Sequence, residues 1–128
     1  MPHVIVEYSA NLEDTLDVSG LIDDVHRCAI DSKVADIAAI RTRAERRSNA
    51  RVGDGNPANA FVHVTARLRI GRSEEIRTAL AEALLAVIDK RMTRAFEKHP
   101  TAITVEIEEI DNITARKNTV RSAAGRAA

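Results

Sequence analysis

The chain has no tryptophan, one tyrosine and two phenylalanines in its 128 residues. Modules that grip single-stranded nucleic acid stack bases on exposed strand aromatics, and so few rings leave little for that job. Positive charge is not in excess either. With 19 lysines and arginines against 19 aspartates and glutamates, no global field draws the chain to nucleic acid or to an anionic membrane. A single cysteine, Cys28, excludes an internal disulfide and a cysteine-based zinc cage. Its slot on an apolar helical stripe makes it a small core residue rather than a nucleophile. The histidines at 3, 26, 63 and 99 lack metal-ligand spacing, so no metal is expected. No apolar run approaches the ~18 residues of a membrane span. The opening MPHVIVEYSA has neither the basic region nor the cleavage site of a signal peptide. The expectation is a cytoplasmic protein without a membrane partner.

What is present is one pattern written twice. Residues 3–8 are β-branched and extended in character. Val18, Leu21, Ile22, Val25 and Ala29 then fall at helical spacing. Residues 37 to about 46 read as a second strand, with Ile40, Thr42 and Ala44 facing away from Arg41 and Arg43. The second half repeats the order. From 61 to 70, Val62, Val64, Ala66, Leu68 and Ile70 alternate with Phe61, His63, Thr65, Arg67 and Arg69, a period of two. Gly71-Arg72-Ser73 forms a turn, with Ser73 as N-cap and Glu74 and Glu75 at the positive helix end. Ile76, Leu80, Ala83, Leu84, Val87, Ile88, Met92 and Phe96 mark one long apolar face that Pro100 stops, and residues 103–110 alternate again.

A strand, a helix and a strand suit a right-handed parallel crossover. Two such units predict an α+β (α/β) fold: two tandem β-α-β units forming a four-stranded sheet with two helices on one face. The repeats run over about 2–46 and 60–111 of a single domain, 1–128. The linker RSNARVGDGNPAN, 47–59, carries loop residues, and a basic, alanine-rich tail begins at about 114. The opposite sheet face would be bare and is not uniformly polar, which suggests packing on copies of the same chain.

The Met-Pro start leading into a strand, Pro2-His3, Ile40-Arg41-Thr42-Arg43, Ala60-Phe61-Val62-His63, Gly71-Arg72-Ser73 and Val105-Glu106-Ile107-Glu108-Glu109 together resemble the tautomerase superfamily, in its 5-carboxymethyl-2-hydroxymuconate Δ-isomerase branch. The resemblance spans nearly the whole chain and is weakest in 44–58 and the last ten residues. It implies a homotrimer, no cofactor, and an N-terminal proline as proton carrier. Physical chemistry agrees with that role for Pro2. Removal of Met1 leaves a secondary amine, and an α-amino group titrates near ~8. Burial and nearby arginines would lower that further, giving a base suited to a 1,3-proton shift.

By the same resemblance Arg41 sits near Pro2 and binds a substrate carboxylate or the developing dienolate oxygen, a task that fits a permanently charged guanidinium. Arg72, ahead of a helix N-terminus, is a second substrate contact. Arg43 shares the strand face of Arg41 and could assist there or form a salt bridge between subunits. His3 lies beside the site. Phe61 could wall the pocket or pack at a subunit boundary. The implied activity is isomerisation of an unsaturated 2-hydroxy or 2-oxo polycarboxylic acid, a small molecule from aromatic-compound breakdown. Alternatives within the superfamily are a phenylpyruvate-type tautomerase or a hydratase or dehalogenase. Outside it stand a silent carboxylate binder and a nucleic-acid-binding α/β module.

Overall fold

The computed structural model describes residues 1–116. In chain order it contains β1 (His3–Ser9), a 3-10 turn (Ala10–Asp14), α1 (Val18–Asp31), a second 3-10 turn (Ile37–Ala39), β2 (Arg41–Arg47), β3 (Ala60–Arg69), α2 (Glu74–Arg91), α3 (Thr93–Lys98) and β4 (Thr101–Ile110). The sheet order is β2-β1-β3-β4. Within each unit the strands are parallel, and β1 meets β3 antiparallel, so the two units lie head to tail. The doubled β-α-β sheet read from the sequence is the fold observed. The tail expected from about 114 lies, from residue 117 on, outside the described residues. No helix among the described residues is long and apolar enough to cross a membrane.

Alternation places Val4, Val6 and Tyr8 of β1 and Val62, Val64, Ala66 and Leu68 of β3 on one sheet face. Leu21, Val25 and Ala29 of α1, with Leu80, Leu84 and Ile88 of α2, close over them. Full burial of each such side chain contributes ~1.5–3 kcal/mol. Both main helices begin on a side-chain cap: Asp17 accepts from the Gly20 N–H and Ser73 from the Ile76 N–H. Gly20 also makes room for a crosslink. A Cβ there would stand 2.5 Å from Arg91 Nη1, and Arg91 reaches past it to Asp24 at 2.5 Å and Asp17 at 3.5 Å. The C-terminus of α2 is thereby fixed to the first turns of α1.

Three local readings of the sequence change. Residues 37–39 form a 3-10 turn, not strand, and Ile37 is 64% exposed; the chain must swing from α1 to the sheet edge before β2 can pair. Ile70 lies past the end of β3 and is also exposed. The long second helix is two helices. Met92 adopts φ −92°, ψ −3°, and its N–H bonds to the Asp89 carbonyl, closing α2 before α3 starts. Met92 and Ala95 are nonetheless fully buried, so the apolar face continues through the break. Ile76 and Phe96, expected on that face, are 46% and 44% exposed.

Candidate active site

Pro2 stands one residue ahead of β1. Its carbonyl accepts the Arg41 N–H at 3.1 Å, joining the starts of β1 and β2. Its ring is fully buried, on the helix side by alternation with Val4. Pro2 lines a cavity of about 530 Å³ together with Met1, Ile30, Lys33, Asp36, Leu68, Arg69 and Arg72. Cleavage after Met1 would leave the proline nitrogen as a free amine at this cavity.

Arg72 reaches the cavity from the turn after β3, where Gly71 holds φ +132°, a value that disfavours any side chain. Its guanidinium donates from Nε and Nη2 to the Val34 carbonyl, at 2.9 and 2.5 Å, and from Nη1 to the Arg69 carbonyl at 3.1 Å. Arg72 therefore ties the end of β3 to the segment after α1, and it does so through neutral acceptors that leave its charge uncancelled. Arg69 donates to Asn112 Oδ1 at 3.0 Å and the Ala115 carbonyl at 3.2 Å, while its buried Nε has no hydrogen-bond partner among the described residues. Lys33 sits just past the C-terminus of α1 at φ +56°. None of Lys33, Arg69 and Arg72 makes an ion pair among the described residues. Against Asp36 they give the lining a positive balance, which suits an anion.

His3, Arg41 and Arg43 lie on the other, uncovered sheet face, since His3 pairs with Arg41 and Ile5 with Arg43. Arg43 Nη1 donates to His3 Nδ1 at 3.1 Å. Burial first, then the charges of Arg43, the N-terminus, Arg41 and Arg67, push the His3 pKa below its ordinary value. Arg41 is thus bonded to Pro2 through the backbone, while its side chain projects on the far side of the sheet from the cavity. Phe61 is elsewhere. His3 pairs with Arg67, and Phe61 lies six residues back along β3, ~20 Å at the usual strand rise. Within one chain Phe61 cannot reach Pro2.

The remaining nucleophilic and imidazole groups serve packing. Cys28 is half-buried, and burial together with Asp31 pushes its thiol pKa up, away from the reactive thiolate. His99 is buried, with Nδ1 2.8 Å from the Ala58 carbonyl and Nε2 3.0 Å from Asp14 Oδ1. His26 bonds Thr42, and His63 bonds Thr104 and Glu106. Reading the sequence singled out Pro2, Arg41 and Arg72 but not Lys33 or Arg69. A lysine after a helix resembles any solvated charge, and Arg69 resembles one more outward residue of an alternating strand.

Two head-to-tail β-α-β units in one four-stranded sheet are the fold of the tautomerase superfamily. The shared fold extends to a fused 4-OT symmetric trimer, with a TM-score of 0.65 and 19% identity over 98% of this chain and 95% of that one. Residues 2–124 match the family model of 5-carboxymethyl-2-hydroxymuconate isomerase, and the chain belongs to that isomerase family. It is 33% identical to the 5-carboxymethyl-2-hydroxymuconate Delta-isomerase of Escherichia coli over 110 residues, 86% of this chain and 87% of that protein. The crystal structure of a 5-carboxymethyl-2-hydroxymuconate isomerase from Deinococcus radiodurans R1 superposes with a TM-score of 0.86 at 27% identity, covering 93% of this chain and 90% of that one.

Proposed function

We propose that this enzyme isomerises 5-carboxymethyl-2-hydroxymuconate or a close unsaturated 2-hydroxy or 2-oxo polycarboxylate, in the cytoplasm and without a cofactor, using the amine of Pro2 after loss of Met1. The observation that carries the reading is the burial of Pro2 at a cavity whose cations Lys33, Arg69 and Arg72 have no acidic ion-pair partner among the described residues. Burial and neighbouring positive charge both disfavour an ammonium, so the amine is poised to accept a proton near neutral pH. It takes a proton from one end of an allylic system and returns it to the other, with negative charge delocalised over the dienolate in between. Arginines beside that charge stabilise it more strongly once water is excluded. Arg72 serves the Pro2 of its own chain.

The division of the remaining residues supports a trimer. Arg41, Arg43 and His3 lie on the uncovered face, where a neighbouring subunit would bring their charge to a shared site. Phe61 stands at the other end of the sheet, so it can wall only the pocket of another copy. The uncovered face carries half-buried Ile5 and Phe61 among paired charges such as Arg67–Glu108, a mixed surface that suits contact between subunits. The test of the reaction is the ultraviolet time course of 5-carboxymethyl-2-hydroxymuconate with protein shown by mass to begin at Pro2. Conversion well above the buffer rate is expected. Absence of conversion would refute the substrate assignment.

A further inference from the structure

Lys33 has a backbone that lysine disfavours. At φ +56° a side chain crowds its own backbone, a conformation that glycine adopts freely and other residues seldom do. Such conformations persist where the surroundings enforce them and concentrate at ligand sites. Here the turn is enforced by the Lys33 N–H, which donates to the Ile30 carbonyl at 3.1 Å, and by the buried Val34 that follows. A lysine at a place suited to glycine, lining the cavity that holds Pro2, is a charge kept despite its conformational cost. Arg69 lines the same cavity, and Asn112 and Ala115 hold its guanidinium while no carboxylate among the described residues pairs with it. Asp36 is the one acidic residue in that lining, and Arg72 supplies a third cation.

We infer that Lys33 and Arg69 form an additional anion subsite of the Pro2 cavity, which binds a carboxylate of the substrate remote from the carbons that exchange the proton. The inference rests on the reading of this cavity as the active site. In the proposed reaction Arg72 of the same chain and Arg41 of a neighbouring copy serve the carboxylate and enolate oxygens next to the proton shift. A third carboxylate, such as a carboxymethyl arm supplies, then needs its own partner, and the two leftover cations provide it. The subsite makes the enzyme selective for tricarboxylates over dicarboxylates of the same skeleton.

Binding tests this without turnover. Benzene-1,3,5-tricarboxylate and benzene-1,3-dicarboxylate are titrated calorimetrically into Met-processed protein. The wild type is expected to bind the tricarboxylate about tenfold more tightly, the low end for one charge-assisted contact. Lys33→Gly is expected to remove most of that preference while the melting temperature holds or rises, because glycine relaxes the turn. Arg69→Gln should also reduce the preference, and Asn112→Ala, which cuts one tie of Arg69 but keeps its charge, should change it by less than about threefold. Equal affinity of the wild type for both acids, or an unchanged preference in Lys33→Gly, would overturn the subsite. A preference that follows Lys33 in a protein without isomerase activity would leave the subsite standing and remove the proposed reaction instead.

Discussion

The two ends of the sheet handle charge in opposite ways. At the end where β1 finishes, Arg47 pairs with Glu7 at 2.6 Å and Glu45 at 2.5 Å, Arg46 pairs with Glu13 at 2.5 Å, and Asp14 holds both Lys98 and His99. Each of these charges has a partner. At the end where β1 begins, Lys33, Arg69 and Arg72 line the Pro2 cavity while Arg41 and Arg43 lie on the opposite sheet face, and none of the five makes an ion pair among the described residues. The carboxylates closest along the sheet, Glu108 and Glu109, are taken by Arg67 and Arg77. The first end is a scaffold, where pairing cancels charge. The second holds surplus positive potential beside Pro2, the proposed base, whose protonated form that potential would disfavour. Uncancelled like charges cost stability, and a folded protein retains such an arrangement most readily where function uses it.

The largest effect should come from the base itself. Pro2→Ala is expected to lower kcat/KM by at least ~100-fold, the lower range for a general base, with the circular dichroism of the native fold. Unchanged turnover would detach Pro2 from the chemistry. Next come Arg41 and Arg72, which lie on opposite faces of the sheet and of which Arg72 alone is tied to the carbonyls of Val34 and Arg69. Arg41→Ala should reduce kcat/KM by the ~1.5–3 kcal/mol of a charged hydrogen bond and leave the melting temperature alone. Arg72→Ala should cost a similar amount in kcat/KM and also lower stability by ~1–3 kcal/mol, because the carbonyls of Val34 and Arg69 lose their donor. Identical thermal behaviour of the two variants would erase the distinction. At the opposite end, Arg47→Ala should change stability by less than ~1 kcal/mol, as exposed pairs do, and leave kinetics at the wild-type level. A loss of activity there would contradict the comparison.

Acid should act on the two ends in separate windows. The folded pKa of His3 lies below the ordinary 6.5 through burial and then its cationic neighbours. The unfolded chain therefore takes up this proton first, and the associated stability is present above about 6.5 and lost as pH falls through the folded value. Asp14 is held well below the ordinary 3.8, first by its bond to Lys98, and Glu13 is held below the ordinary 4.5, first by its bond to Arg46. Their contribution is present above those ordinary values and is lost as pH falls through the folded ones, that of Asp14 last. Melting temperatures across pH 3–8 should show His3→Gln flattening the upper window alone. A variant curve parallel to the wild type would remove His3 as its source.

Period two placed β3 and β4, β-branched character placed β1, and the Gly-Arg-Ser turn with its Ser73 cap located the start of α2. These signals are local, and so they survive in the sequence. The break at Met92 left no trace because Ile88, Met92 and Ala95 stay buried on both sides of it, and apolar periodicity reports the buried face rather than the hydrogen-bond ladder. The turn at 37–39 was hidden for a related reason: Ile37, Ala38 and Ala39 are apolar, yet their path is set by the distance between α1 and the sheet edge. The family motifs singled out Pro2, Arg41 and Arg72. Alternation can assign Arg41 to a face but not to the face opposite the cavity, since it does not say which face the helices cover. It also cannot show that Phe61 and Pro2 occupy opposite ends of neighbouring strands, which follows from the antiparallel register of β1 and β3. Lys33 was invisible because its signature is a dihedral angle.

We propose that surplus cations keep the Pro2 amine a base at neutral pH. Titration of Met-processed, 15N-proline-labelled protein, with the Pro2 nitrogen followed by NMR, measures this. The expected midpoint lies below the ~8 of an ordinary α-amino group and moves upward in Arg72→Ala. A midpoint at or above that value, unmoved by the loss of Arg72, would contradict it.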